Sequence, residues 1–406
     1  MVKFIHAADL HMDRSFEGLT ILDENIQERL LKANLTVLSN IVDQAVMNHV
    51  DFVLFAGDNF HQNRPSLKIQ KHFSEQMYRL KQKNIQVYMI FGNHDFYQRE
   101  RYWFDFPDNV HLFTSESVET KKFSISSGET LAISGFSYCH PWIREEKVSE
   151  FPNRAAVDYH IGLYHGEVGT QMQGNYAPFL PSRMQEKGYD YWALGHIHVP
   201  MAMNESKNIV YPGAPQGHTQ KEKTATSVLL VELSANQSQL KPLEVAEVYW
   251  KSQEVSLQHA KSTKDILDIV QQQLPAEMSK FNLIELKIKD YEHLSMEVVE
   301  RIQTGELLDY LSEEITQFSS NLFVWRISIM NSESKTRIPL TASTKLMDQL
   351  FENYQIPQDF HQILHEAFGH QEAAKLLNDL PDYQEQTLEK AKELLKQDFL
   401  FEEARE

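Results

Sequence analysis

Lys3-Phe4-Ile5-His6-Ala7-Ala8-Asp9-Leu10-His11 sets the pattern for the first half of the chain: a short apolar run, then at once a carboxylate and an imidazole. Lys3 to Ala8 reads as a buried strand. The pattern returns twice nearby. Asp51 to Ala56 (DFVLFA) leads into Gly57-Asp58-Asn59-Phe60-His61, and Ile85 to Phe91 (IQVYMIF) leads into Gly92-Asn93-His94-Asp95. Between these runs, Ile26, Leu30, Ala33, Val37, Ile41 and Ala45 recur at spacings of four and three, as one face of a helix requires. Ile69, Phe73, Met77 and Leu80 form a second such stripe, with Pro65 placed where that helix could begin. Strands alternating with helices predict a layered α/β domain rather than a helical bundle.

Working outward, strand-like segments fall near Val110 to Phe113, Leu131 to Tyr138, Ile161 to Tyr164, Tyr191 to Leu194 and Ile209 to Tyr211, and Ser227 to Trp250 reads as a closing pair of strands. Two of these runs end on further polar motifs, His165-Gly166-Glu167 and Gly195-His196-Ile197-His198. Near residue 250 the texture changes. Thr263 to Leu274 is helical, and Ile284, Leu286 and Ile288 alternate with Glu285 and Lys287 as in a half-exposed strand. Ser295 to Gln317 is helical again and leads to the alternating Phe323, Trp325, Ile327 and Ile329. The expected organisation is a main domain over 1–250, a small α/β module over 251–330 and an acidic helical segment over 331–406. The last helix of that segment carries Leu388, Ala391, Leu395 and Phe399 on one face. His365-Glu366-Ala367-Phe368 begins like a zinc-protease helix but has Gly369 where the second histidine is needed.

The composition narrows the function. In 406 residues, 39 Lys and Arg stand against 57 Asp and Glu, a net charge of −18, which excludes a uniformly basic nucleic-acid sheath while leaving room for a local positive site. The single cysteine, Cys139, can form neither an internal disulfide nor a thiolate metal cage, which suits a reducing cytoplasm. His6 and Asp9 interrupt the N-terminal apolar run before a signal-peptide core can form, and the sequence has no apolar run of about 18 residues, so a cytoplasmic protein without membrane insertion is expected.

All five polar motifs follow predicted strands. In an open α/β sheet such strand ends converge on one crevice, and residues two apart in extended chain project to the same side. Asp9, His11, Asp58, Asn93, His165, His196 and His198 are too many donors for one tetrahedral zinc. They suit two divalent cations, with a carboxylate such as Asp58 able to bridge them at the roughly 3.5–4 Å separation of two-metal hydrolysis. Mixed carboxylate, amide and imidazole ligation favours manganese or iron, and zinc remains compatible.

In this order and register, DxH, GDxFH, GNHD, a single histidine and GHxH resemble the calcineurin-type metallophosphoesterase superfamily. The GDNFH variant and the later Tyr211 to His218 (YPGAPQGH) resemble the SbcD-type DNA-repair nucleases, while the chain beyond about residue 220 matches only in outline and is most similar to the YhaO-type branch of Bacillus-like bacteria. The resemblance covers roughly residues 1–220. It implies a four-layer α-β-β-α sandwich in which Asp9, His11, Asp58 and His198 hold one metal, and Asp58, Asn93, His165 and His196 the other. It further implies that His94 assists the leaving oxygen, His61 positions the scissile phosphate, Asp95 orients His94, and a metal-bound hydroxide attacks. The expected activity is that of a manganese-dependent 3′–5′ exonuclease, and possible endonuclease, in double-strand-break repair. A capping domain at 251–330, homodimerisation and C-terminal docking of an SbcC-like coiled-coil ATPase complete the expectation. Two readings compete: a small-molecule or cyclic-nucleotide phosphodiesterase or phosphatase on the same scaffold, and a repair-complex scaffold with a vestigial site. Against the phosphatase, Asn59-Phe60-His61 stands where an arginine usually grips a monoester.

Overall fold

Each apolar run of the first half is a strand in the computed structural model. The structure describes residues 1–19, 24–62, 64–169, 174–234, 237–274 and 278–330, together with Phe351, Phe360, Tyr383, Gln384, Thr387, Leu388 and Ala391. The rest of the C-terminal segment, including Leu395, Phe399 and the stretch 365–369, lies outside the described residues. In chain order come β1 (Val2–Ala7), α1 (Glu24–Met47), β2 (Phe52–Ala56), α2 (Leu67–Gln82), β3 (Gln86–Ile90), β4 (Val110–Leu112), β5 (Glu119–Ser124), β6 (Thr130–Gly135) and β7 (Tyr159–His165). The short helix α3 (Pro181–Glu186), β8 (Tyr191–Gly195), β9 (Met201–Ala202), β10 (Ile209–Tyr211), β11 (Ser227–Ser234) and β12 (Gln237–Glu244) complete two six-stranded sheets.

The first sheet has the order β12-β11-β1-β2-β3-β4, the second β5-β6-β7-β8-β10-β9. Strands β1 to β4 are parallel to one another, as are β6, β7, β8 and β10, while β11 runs antiparallel to β1. Period-two alternation divides the side chains between layers. Val2 and Phe4 of β1, Phe52 and Leu54 of β2, and Tyr88 and Ile90 of β3 face Leu131, Ile133, Ile161, Leu163, Tyr191 and Ala193 of the second sheet. The alternate residues Ile5, Ala7, Val53, Phe55, Val87 and Met89 pack on Val37, Leu38 and Ile41 of α1 and on Phe73, Met77 and Leu80 of α2. The outer face of the second sheet is covered mainly by irregular chain, with Met184 of α3 packed among Phe136, Tyr164, Trp192 and Ile209. This is the layered sandwich the sequence predicts, with one helical layer reduced to a single short helix among loops. His6 points between the sheets, bonded to Tyr191 Oη and the Leu194 carbonyl at 3.0 Å each, and burial pulls it down to about 3, so it is a neutral core residue.

Three local expectations change. Helix α2 starts after Pro65, at a Ser66 cap whose hydroxyl accepts from Ile69 N. The closing pair ends at Glu244, because Val248 and Trp250 belong to β13 (Val248–Ser256) in a third sheet. This sheet has the order β13-β14-β15, with β14 at Phe281–Lys289 and β15 at Leu322–Ile329, and is accompanied by α4 (Thr263–Gln273), α5 (Met296–Gln303) and α6 (Glu306–Phe318). The helical stretch 295–317 is thus two helices, divided at Gly305 with φ +87°. By contacts the chain forms two units, Met1–Val255 with His259–Lys287 and Leu294–Ser328, and Ser256–Gln258 with Ile288–His293 and Ile329–Glu406. Within the first, Val248, Trp250, Phe281, Leu283, Phe323 and Trp325 pack on Ile26, Leu30 and Ala33 of α1.

Candidate metal centre

The C-terminal ends of β1, β2 and β3 in one sheet and of β7 and β8 in the other open on one edge of the sandwich, and the five polar motifs follow them. An extended chain would set Asp9 and His11 side by side through period-two alternation. The structure uses a different device: Asp9, His11 and Asp58 adopt left-handed φ of 53°, 42° and 51°, and His196 lies at 107°. Such conformations cost of order 1–3 kcal/mol each for residues with a Cβ and persist only where surrounding bonds hold them. Here Asp9 N donates to Gly57 O at 3.1 Å, His11 N to Asp58 O at 3.0 Å and Met12 N to Asn59 O at 3.1 Å. His196 N bonds across the sheets to both Asp9 carboxylate oxygens at 3.0 Å.

Around these turns the donors gather. His11 Nε2 is 3.1 Å from His198 Nε2, and with Asp9 they form one group; Asp58, His165 and His196 form a second, each with donor atoms within 4.8 Å of one another. Asn93 Oδ1 lies 3.1 Å from His165 Nε2 and 3.2 Å from His196 Nδ1, which joins it to the second group. Asp58 Oδ2 stands between the groups, 3.6 Å from His11 Nε2 and 3.5 Å from His165 Nε2. His61 and His94 are half-buried beside them, their rings stacked at 4.7 Å, with the His11 ring 5.0 Å from that of His94.

A model of the calcineurin-like phosphoesterase family matches residues 2–200, the span that contains every donor named above. An uncharacterized metallophosphoesterase, YhaO of Bacillus subtilis, is 34% identical over 272 residues, 66% of this chain and 67% of that protein. The chain belongs to the calcineurin-like metallophosphoesterase superfamily. The DNA double-strand break repair protein Mre11 of Thermoplasma acidophilum is a further relative, 25% identical over 261 residues, 60% of this chain and 65% of that protein. Among solved structures, a dimetal phosphatase from Danio rerio aligns with a TM-score of 0.33 and 12% identity over 60% of this chain and 96% of that one. No helix among the described residues is long and apolar enough to cross a membrane.

As a metallophosphoesterase the chain is a phosphoester hydrolase that uses divalent metals, and its donors fit such ions. Two imidazole nitrogens on one cation at about 2.0–2.1 Å stand roughly 3.3 Å apart, close to the His11 to His198 spacing. His11 Nδ1 and His61 Nδ1 are buried without a hydrogen-bond partner among the described residues. Space for the ligands comes from glycine. A Cβ on Gly92 would fall 2.2 Å from Asp58 Oδ1 and 2.7 Å from His165 Cε1, and one on Gly195 would fall 2.1 Å from the Ala56 carbonyl oxygen.

Several supporting residues escape a sequence reading. Glu222 Oε1 accepts from His198 Nδ1 at 2.8 Å and from Arg14 Nη1 at 3.0 Å, while its Oε2 accepts from His218 N. That bond leaves His198 Nε2 free to face Asp9 and His11, the usual service of a carboxylate behind a metal-ligating histidine. Asp13 accepts from His61 N at 2.5 Å and Gln62 N at 3.0 Å, fixing the loop that presents His61. Asp95, expected to orient His94, instead accepts from Gly92 N, Asp58 N, Asn59 N and Asn59 Nδ2, tying the second and third strand ends together. The group at His94 Nδ1 is the His61 carbonyl, at 3.3 Å.

The cluster's protons give a measurable consequence. Burial alone would depress His165, but the Asp58 carboxylate outweighs it and pushes the imidazole up to about 9, while Asp58 is held well below the usual carboxylate range. Burial pushes Asp9 up to about 6. A cation must therefore displace a proton from His165 below pH 9 and a second from Asp9 below pH 6. His198, which its bond to Glu222 holds above the ordinary imidazole value against the pull of burial, adds a further proton to displace. Apparent manganese affinity is expected to fall at least tenfold per pH unit from 9 to 6, and more steeply below. Calorimetry at pH 7.5 in buffers of different ionisation enthalpy should detect at least one released proton at this site. Binding heats independent of the buffer would contradict the assignment.

Proposed function

We propose that the chain is a two-manganese DNA nuclease, a 3′–5′ exonuclease with endonuclease capacity, acting at double-strand breaks in the cytoplasm. The observation that carries the reading is the Asp58 carboxylate standing 3.6 and 3.5 Å from imidazoles of the two donor groups. Asp9, His11, Asp58 and His198 would hold one ion, and Asp58, Asn93, His165 and His196 the other. Bound there, the ions would supply Lewis acidity and an activated water. His94, whose backbone N–H donates to Asp58 Oδ1 at 3.0 Å, would hold a proton at the departing oxygen, and His61, stacked on it, would hold the phosphate.

DNA is favoured over a small ester by relatives named as DNA double-strand break repair proteins. It is also favoured by Asn59-Phe60-His61 in place of a monoester-gripping arginine. In this reading residues 251–330 cap the DNA groove, the chain works as a homodimer, and the C-terminal segment docks a coiled-coil ATPase similar to SbcC. The test is end-labelled duplex, plasmid and a panel of cyclic nucleotides, each with manganese and with chelator. Manganese-dependent shortening from 3′ ends, abolished by chelation, is expected. Cyclic-nucleotide hydrolysis with DNA left intact would replace the reading by a small-molecule one. Equal inertness of the wild type and His94→Ala with metal bound would replace it by a scaffold.

A further inference from the structure

A carboxylate buried within a strand is costly unless it is paired and bonded. Glu285, in the central strand β14 of the third sheet, is 5% exposed, and among the described residues its ion pairing is limited to Arg326 Nε, 3.9 Å away. Neutral donors supply the rest. Ser252 Oγ of β13 donates to Oε2 at 2.9 Å, Ser328 Oγ of β15 to Oε1 at 3.0 Å, and Gln220 Nε2 to Oε2 at 2.6 Å. Burial pushes the carboxyl up, but these bonds outweigh it and hold the group below the ordinary carboxylate range. The two serines tie the sheet to itself. Gln220 lies outside the sheet, at the start of the single helical turn Gln220–Glu222, whose last residue accepts from His198 Nδ1 at 2.8 Å.

The stretch from Gln216 to Glu222 is fastened to the third sheet at three places. Buried Gln216 accepts from Glu247 N and Val248 N at 3.1 Å each and donates to Val248 O at 2.8 Å. Gly217 O accepts from Trp250 Nε1 at 2.9 Å, and Gln220 is the third fastening. A Cβ on Gly217 would fall 2.3 Å from Glu222 O, so the two ends of the stretch are folded against each other. His218, fully buried, is steadied from α1, its Nε2 standing 3.0 Å from Asn34 Oδ1, and its N–H donates to Glu222 Oε2 at 2.8 Å. Glu222 N closes the turn by donating to Thr219 O at 3.0 Å.

We propose that Glu285 is a positioning residue for the metal centre: through Gln220 it sets the turn from which Glu222 holds the His198 imidazole, and this rests on the assignment of His198 as a metal ligand made above, not on DNA as the substrate. The carboxylate behind a ligating histidine fixes the ring's orientation and raises its basicity, and it can do so only where its own backbone is held. The turns that carry Asp9, His11 and Asp58 are bonded to one another and need no such support. The third sheet is therefore felt at the ion that His198 holds and not at the other, so residues far beyond the last metal-binding motif set the affinity of one half of the centre.

The test is calorimetric titration with manganese, with Tm measured alongside, of the full-length wild type, Gln220→Leu, the exchange Gln220→Glu with Glu285→Gln, and His198→Ala. Gln220→Leu is expected to weaken one of two equivalents about tenfold, the lower end of the range for lost support behind a ligand, and to leave the second equivalent as it is. The exchange restores the bond with donor and acceptor reversed at unchanged net charge, and should regain most of the loss. Wild-type affinity of both equivalents in Gln220→Leu, equal weakening of both, or an exchange that recovers nothing would overturn the proposal and leave the ligand set standing. A wild type that binds fewer than two equivalents, or His198→Ala that binds two as tightly as the wild type, would remove the ligand assignment and the role of Glu285 with it.

Discussion

On the two-ion reading proposed above, Asp58→Asn is expected to abolish hydrolysis, lowering kcat by about a thousandfold or more, and to reduce bound manganese from two equivalents to one or none. The substitution keeps size and shape and removes a single negative charge. That charge lies where it counts most: Asp58 Oδ2 is 3.6 Å from His11 Nε2 and 3.5 Å from His165 Nε2, so both donor groups lose their shared anionic oxygen together. A metal's stabilisation of transition-state charge amounts to several kcal/mol, which at about 1.4 kcal/mol per factor of ten sets the thousandfold scale. The substitution has a second readout independent of turnover. Without Asp58 the burial of His165 is no longer outweighed, and the imidazole, now pushed up to about 9, should titrate below its ordinary value. Metal analysis, nuclease assay and histidine titration by NMR together decide the matter. A variant that binds two manganese ions and cleaves at the wild-type rate would refute the bridging role.

Gly195→Ala is expected to be the most damaging single-methyl substitution near the site. The added carbon would stand 2.1 Å from the Ala56 carbonyl oxygen and 2.9 Å from His165 Nδ1. The first neighbour is the backbone of β2 in the opposite sheet, which no rotamer change can move, so the sheets must part where both present ligands. Overpacking of this kind typically costs 1–3 kcal/mol and occasionally more; with a rigid backbone as the obstacle we expect about 3 kcal/mol. In a chain of 406 residues that lowers Tm by roughly 3–4 °C. Metal content should fall with it, since His165 is displaced from Asn93 and Asp58. Gly169→Ala is the control: there the nearest atom to the same carbon is Pro178 Cβ at 3.7 Å, and Tm should move little. Equal melting of the two variants would show that the sheets have more room than the structure gives them.

The donor set was legible because buried strands announce themselves. DFVLFA and IQVYMIF can hardly be anything but interior, and a polar motif just after such a run sits where a crevice opens. What was hidden was hidden for physical reasons. Strand β5, Glu119-Thr120-Lys121-Lys122-Phe123-Ser124, is an edge strand whose polar alternation carries little hydrophobic signal. Extended chain would pair Asp9 with His11 by alternation; the pairing is made instead by left-handed φ, which at a residue with a Cβ is a tertiary imposition that no local pattern encodes. Glu222 lies in Gln220-Lys221-Glu222-Lys223, which reads as ordinary solvated charge. Only the return of the chain after β10 brings it to His198. The division of 295–317 falls at Gly305, whose φ of +87° ends one helix and caps the next, yet the apolar stripe resumes beyond it and reads as one continuous helix.

The way α1 is used has a practical corollary. Its middle and end seal the first sheet, while Ile26, Leu30 and Ala33 near its start are roofed by Phe281, Leu283, Phe323 and Trp325. A fragment cut after residue 250 would keep every ligand yet leave those aliphatic side chains, together with Trp250, bare to water. The hydrolytic half is consequently no detachable cassette: excised, it would be a sticky particle prone to clump, and its solubility is underwritten by the chain that follows.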